Sequence, residues 1–437
     1  LQERSSFFTI TALQTINLNS EQYQAVTHIN SPVLVVAGAG SGKTRVITAK
    51  VLYLIEQGIA PERILAITFT RKAAEEMKKR VQDTLGVRPP YILTFHSFCL
   101  KFLKEELPTV SSRYTKDFVI YDEHDSITII ENIIEQFEYS RLAPETVAAS
   151  ISKAKQRYIN GSDLSSYLKT AELISIYKEY QKQLVRSNAM DYDDLLYHTV
   201  RILLKYPKIR DKWNSAFDYI LVDEYQDTNE IQYQLLQLLT TRHKNITVVG
   251  DPQQSIYGFR GACVGNVKKF VQDFNPKIVK LGQNYRSTPS ILNIANRISS
   301  SMNGFFKELL VTLYTENKDD GEVAINVCER EEEFIAKKIL ELTAKGIKYQ
   351  DIAILIRVSF LSFSIEKALA RYGIPYRVLH GIEFFSRSEI KNLLMYLRFL
   401  INNKDTVAFQ RIINIPKGKI GKRKLRLIEQ HYESSWI

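Results

Sequence analysis

Val33-Leu34-Val35-Val36-Ala37-Gly38-Ala39-Gly40-Ser41-Gly42-Lys43-Thr44 is the stretch that decides the fold. Five apolar residues without a polar break read as a short strand buried on both faces. A glycine-rich turn follows, and residues 44–57 read as a helix. Strand, glycine-rich turn and helix form the context that a phosphate-binding loop requires. Glycines let backbone N–H groups face phosphate oxygens without obstruction, and the helix amino terminus adds a favourable dipole. Lys43 is placed to reach the β- and γ-phosphates of ATP, and the Thr44 hydroxyl to ligate Mg²⁺. The general pattern begins with glycine; here Ala37 holds that place.

Working outward, residues 64–68 read as a second strand and 72–85 as a helix, with further strands at 219–222, 246–249 and 278–281. Strands that alternate with helices at this spacing imply an α/β fold, a parallel sheet flanked by helices. Residues 98–189 interrupt the alternation with amphipathic helix, broken at Pro108, Pro144 and Gly161, and read as a helical insertion. A second strand–helix series begins near Gly321, with strands expected at 323–328 and 352–356. After Gly381 the chain turns helical and basic: residues 381–437 hold 11 Lys+Arg against 5 Asp+Glu, a net of +6. Residues 1–17 are polar, unpatterned and expected to be a disordered tail.

A chain of 437 residues is too long for one core, so two to four domains are expected. A net charge of +11 suits a polyanionic partner such as nucleic acid, although a basic soluble protein without one would look the same. Cys99, Cys263 and Cys328 lack any CxxC spacing, which leaves no zinc site or disulfide framework and makes a reducing compartment the default. No apolar run has the ~18–20 residues a bilayer span needs. The first residue is Leu1, and the chain is expected to be a fragment of a longer product.

Phe217-Asp218-Tyr219-Ile220-Leu221-Val222-Asp223-Glu224 supplies a second half for the nucleotide site. An apolar strand ends there in two carboxylates. Asp223 would hold Mg²⁺, and Glu224 would polarise the attacking water. Alone, such a strand end is common; beside a phosphate loop it completes a hydrolase.

Seven further segments extend the pattern in order. They are Leu18-Asn19-Ser20-Glu21-Gln22 with Ala25-Val26, Thr68-Phe69-Thr70-Arg71-Lys72-Ala73-Ala74, Thr94-Phe95-His96-Ser97, Asp191-Tyr192-Asp193-Asp194-Leu195-Leu196, Asp223-Glu224-Tyr225-Gln226-Asp227-Thr228-Asn229, Gly250-Asp251-Pro252-Gln253-Gln254-Ser255-Ile256-Tyr257-Gly258-Phe259-Arg260-Gly261-Ala262, and Asn284-Tyr285-Arg286-Ser287. From about Leu18 to its end the chain resembles superfamily 1 DNA helicases of the UvrD/PcrA/Rep type. Singly, Phe69, Phe95, Tyr257 and Phe259 would read as core aromatics and His96 as a core histidine; their joint order over nearly 300 residues carries the resemblance.

The resemblance implies RecA-like P-loop NTPase domains with inserted helical subdomains. Residues 18–95 and 190–281 would form the first motor domain, 96–189 its insertion, 282–380 the start of the second motor domain and 381–437 the start of a second insertion. It implies that Gln22 reads adenine, that Ala37, Gly38, Ala39, Gly40, Ser41, Gly42, Lys43, Thr44 and Arg45 hold the nucleotide, and that Tyr285 stacks on the base. Gln254 would sense the γ-phosphate and Arg286 would reach it. Phe69, Thr70, His96, Tyr257 and Phe259 would face DNA. The implied activity is ATP-driven 3′→5′ translocation on single-stranded DNA and unwinding of duplex DNA, in repair, replication or recombination, with repair or replication proteins as further partners. A cytoplasmic, nucleoid-associated location in a bacterium follows from the same resemblance, or the nucleus or an organelle in a eukaryote.

Two departures stand out. Phe259 occupies a place that is usually Trp, and no segment resembles the family's last two large motifs, so the chain alone is expected to be incomplete. Residues 415–421 resemble a duplex-contacting hairpin, and six basic residues fall between Lys417 and Arg426. Two other readings stay open: an ATP- and DNA-binding module without motor activity, and the amino-terminal part of a helicase–nuclease subunit.

Overall fold

Apolar runs that alternate between two cores organise the sheet. In β1 (Val33–Ala37), Leu34 and Val36 join one core while Val33, Val35 and Ala37 join the other. In β2 (Ile64–Thr68), Leu65 and Ile67 face the first core, Ile64 and Ala66 the second. Side chains alternate across a strand, so a strand with helices on both faces must be apolar throughout. The structure is a computed structural model, and it describes residues 16–29, 31–110, 113–158, 163–258, 261–301, 305–379, 388–415, 420–421, 424 and 427–428. The expected tail therefore lies outside the described residues but for its last two positions, as do Phe259, Gly161, most of the 415–421 hairpin and most of the basic run after it.

Six strands form one parallel sheet: β1 and β2 are joined by β3 (Ile92–Thr94), β6 (Tyr219–Val222), β7 (Ile246–Gly250) and β8 (Lys277–Leu281), in the spatial order β3-β2-β6-β7-β1-β8. The register pairs Val35 with Val249 and with Val279, Ala66 with Leu221, and Leu221 with Thr247. β8 is an edge strand that carries Lys277 and Lys280, charges that discourage further strand addition. Between β3 and β6 lies the expected helical insertion. After its first helix, β4 (Val119–Tyr121) pairs in parallel with β5 (Ala189–Asp191), where the insertion closes. Pro108 does not break its first helix, which runs Phe95–Val110.

The chain divides into two compact units, residues 1–321 with 395–437, and residues 322–394. In the second unit, helices Glu331–Ala344 and Ser362–Arg371 share a small core of Ala336, Ile339, Ile365, Ala368, Leu369 and Ile374. The strands expected at 323–328 and 352–356 do not form. Ile352 and Ile354 pack on that core, but Leu355, Ile325 and Val327 are more than nine-tenths exposed. Alternation selects a face, whereas a strand also needs a neighbour to complete its ladder, and no such neighbour is present among the described residues.

Candidate nucleotide site and nucleic-acid face

Ligands of open parallel sheets gather beyond the carboxyl ends of the strands. Here strand order sets the order of the chemistry. His96 follows β3, Phe69 follows β2, Asp223 and Glu224 follow β6, Asp251 and Gln254 follow β7, the glycine loop follows β1, and residues 283–286 follow β8.

The glycine loop turns sharply, with Gly40 at φ 72° and Gly42 at φ 89°, values that an L side chain rarely adopts. Gly42 caps helix Lys43–Glu56. The Ser41 hydroxyl donates to the Gly38 carbonyl at 2.7 Å, and the buried Lys43 Nζ donates to Ala37 at 3.4 Å. Gln22 is fully buried; its Nε2 donates to the Ser41 carbonyl at 2.8 Å, and its Oε1 accepts from the Asn19 backbone at 3.1 Å. On the other side, Asn284 Nδ2 donates to the Ala39 carbonyl at 2.6 Å, and Tyr285 N donates to Gly40 at 3.0 Å. Asn284 Oδ1 accepts from the Arg286 and Ser287 backbones, so one amide fixes Arg286 beside the loop. A Cβ on Gly40 would lie 2.6 Å from Asn284 Nδ2, a second reason for glycine there. The Arg45 guanidinium lies 5.6 Å from the centre of the Tyr285 ring.

Thr44 Oγ1 donates to Asp223 Oδ2 at 3.4 Å, which sets one hydroxyl and one carboxylate side by side. Among the described residues no cluster of three His, Cys, Asp or Glu could cage a metal by itself. Mg²⁺ needs no cage when phosphates and water complete its shell, so this donor pair fits it. Burial, and then the charge of Glu224, pushes the Asp223 carboxyl up to about 6; a cation against it would offset both.

Glu224 sits in the left-handed region at φ 48°, a conformation that costs a non-glycine residue ~1–2 kcal/mol. An amide chain holds it. Gln226 Nε2 donates to Glu224 Oε2 at 2.8 Å, and Gln226 Oε1 accepts from Asp251 N at 2.9 Å. Asp251 Oδ2 accepts from Gln254 Nε2 at 2.6 Å. Three residues on, Tyr257 stacks against Phe69 with ring centroids 5.2 Å apart. Phe69 is 41% exposed, so this pair is no core contact. Thr70 caps helix Arg71–Leu85 by accepting from Ala73 N at 3.1 Å. His96 meets the exposed ring of Tyr192 edge-on at 5.7 Å. Burial, and then the Arg71 charge, lowers its imidazole to about 4, so the ring is neutral at pH 7.

Residues 18–275 match the profile of the UvrD/REP helicase N-terminal domain, and residues 279–437 that of the UvrD-like helicase C-terminal domain. The chain belongs to the UvrD-like helicase family. It is 38% identical over 427 residues to the ATP-dependent DNA helicase PcrA of Staphylococcus epidermidis, covering 95% of this chain and 58% of that one. The PcrA helicase of Staphylococcus aureus is 37% identical over 425 residues, with the same coverage. The chain thus spans 58% of the length of the relatives it matches. In this UvrD-like chain the glycine loop and the carboxylate pair lie on a RecA-like P-loop sheet, and no described helix is long and apolar enough to cross a membrane.

The fold brings Gln22, residues 37–45, Asp223, Tyr285 and Arg286 around one loop, and sets Phe69, Thr70, His96 and Tyr257 at the other end of the same sheet edge. Gln254 lies between, on Asp251. Sequence reasoning gave no role to Gln226, Asp251 or Asn284. Their signal, an amide or carboxylate inside a longer segment, is too common to single out before the fold pairs them.

Proposed function

We propose that this protein is an ATP-dependent 3′→5′ DNA helicase that couples ATP hydrolysis to movement along single-stranded DNA and to duplex separation. The observation that carries this reading is the hydrogen-bonded chain from Glu224 through Gln226, the Asp251 backbone and carboxylate, and Gln254 to the loop of Tyr257, stacked on exposed Phe69. It joins a hydrolytic carboxylate to an aromatic platform.

ATP would lie with its phosphates on the amides of residues 38–42, where helix Lys43–Glu56 begins. Thr44 and Asp223 would hold Mg²⁺, which neutralises charge on the β- and γ-phosphates. Lys43 exchanges its Ala37 carbonyl for phosphate oxygen, and Arg286, set by Asn284, adds a second positive charge. Tyr285 and Gln22 take the adenine side. Glu224 accepts the proton of the attacking water. Loss of the γ-phosphate alters the surroundings of Glu224 and Gln254 together, and the amide chain carries that change to Tyr257. Phe69 and Tyr257 offer ring faces to bases irrespective of sequence, with Thr70, His96 and Phe259 on the same strand of DNA. Two motor domains, residues 18–95 with 190–281 and residues 282–380 onward, would alternate their grip. A role in repair, replication or recombination on bacterial nucleoid DNA is part of the same proposal.

Polarity is tested by streptavidin displacement from biotinylated single strands in ATP and Mg²⁺. Displacement from the 5′ end alone is expected. Displacement from the 3′ end alone, or from both ends equally, contradicts the reading.

A further inference from the structure

The loop after β7 touches a second partner that the nucleotide chemistry does not require. Gly261 has φ 85°, and a Cβ placed on it would run into Oε1 of Gln156. Gln156 is the last residue of helix Pro144–Gln156 in the helical insertion, so this contact joins the loop to a different part of the first unit. Its carboxamide is held in place: Nε2 donates to Ser152 Oγ at 3.0 Å and to Asp193 Oδ1 at 3.1 Å.

Asp193 belongs to a segment that the same helix end grips twice more. Fully buried Lys155 reaches Asp191 at 2.6 Å and Asp194 at 2.7 Å. Asp191 caps helix Tyr192–Lys205, accepting from Asp194 N at 2.8 Å, and its other oxygen accepts from Tyr180 at 2.9 Å. Tyr192, one residue before Asp193, is 49% exposed and lies against His96. Gln156 thus stands between the loop at Gly261 and the Tyr192–His96 pair, while Lys155 ties down the segment that carries Asp193 through Asp191 and Asp194.

We propose that Gln156 is a positioning residue that transmits the nucleotide-dependent state of the loop at Gly261 to the Tyr192–His96 pair, a second route to the nucleic-acid face beside the Phe69–Tyr257 stack. The proposal rests on the function proposed above. Among the described residues, the hydrogen-bond partners of the Gln156 side chain are Ser152 and Asp193, which belong neither to the glycine loop nor to the aromatic pairs. Loss of that side chain should therefore change the coupling between two ligands rather than the affinity for each alone. Coupling is a ratio of affinities and is reciprocal, so it can be read without hydrolysis.

The test is the dissociation constant of a fluorescent oligo-dT strand, with and without the non-hydrolysable analogue AMP-PNP and Mg²⁺, in the chain, Gln156→Ala, Tyr192→Ala and the double variant. Gln156→Ala is expected to keep nucleotide-free DNA affinity, AMP-PNP affinity and melting temperature, and to lose several-fold of the coupling ratio. The double variant should lose no more coupling than Tyr192→Ala, because both residues lie on one route. An unchanged ratio in Gln156→Ala, additive losses in the double variant, or a wild-type chain that binds both ligands without coupling overturns the proposal. A wild-type chain that binds neither ligand contradicts the proposed function instead.

Discussion

The two ends of the same sheet edge are built in opposite ways. At the nucleotide end, Gln22, Ser41, Lys43, Asp223 and Asn284 are all buried, and each has a hydrogen-bond partner within the protein. At the end proposed to meet nucleic acid, Phe69 and Tyr192 leave about half their surface in water, and their neighbours are other rings. Phosphate transfer needs charges and donors fixed before the substrate arrives. Sequence-tolerant base stacking needs only flat apolar faces. Substitutions at the first end should therefore fall on rate and those at the second on affinity.

The largest effects are expected at the nucleotide end. Lys43→Ala should abolish ATP turnover, and Glu224→Gln should slow it at least ~100-fold while still binding ATP with Mg²⁺, the usual scale for loss of a general base. Steady-state turnover, nucleotide binding and circular dichroism separate the cases. Loss of nucleotide binding in Glu224→Gln would show that this carboxylate holds the ligand rather than the water, and the contrast between the two ends would lose its meaning.

Phe69→Ala sharpens the other side. One lost stacking face should weaken single-stranded DNA binding by ~1–3 kcal/mol, with turnover in the absence of DNA unchanged. Because the ring is 41% exposed, the melting temperature should hardly move. A large drop in melting temperature with unchanged DNA affinity would make Phe69 a core residue and the two ends alike.

His96 gives the smallest effect. Its folded pKa of about 4, set by burial and then Arg71, lies below the ordinary 6.5. Between those values the unfolded chain binds more protons, so this group's contribution to stability falls as pH drops from 6.5 to 4. Asp223 and Asp227, pushed up to about 6 by burial and by Glu224, act in the opposite direction. The effect must therefore be read as a difference between melting curves of wild type and His96→Gln. Wild type should lose stability relative to the variant on acidification through that window, and parallel curves would place His96 in water.

The contrast also explains what was legible in the sequence. β1, β2, β6 and β7 are buried on both faces and read as apolar runs, and the glycine loop carries its own signature. β3, β4 and β5 have three residues each, too few for a period to register. Residues 323–328 and 352–356 are apolar, strand-like stretches yet form no strand, because pairing is a property of a neighbour and not of the segment. The amide chain was invisible for a related reason: Gln226 meets Asp251 across 25 residues, and Asn284 meets Ala39 across 245. The aromatic face could be named only through family resemblance, since an exposed Phe and a buried one are written alike.

Turnover of ATP in Mg²⁺, measured with and without a single-stranded oligo-dT, tests most directly whether the nucleotide end drives the nucleic-acid end. The expected result is turnover that rises when the strand is added and loses that rise when Gln254 is replaced by Ala. Turnover that proceeds at one rate with or without DNA would contradict the coupling, leaving a nucleotide hydrolase whose aromatic face serves something else.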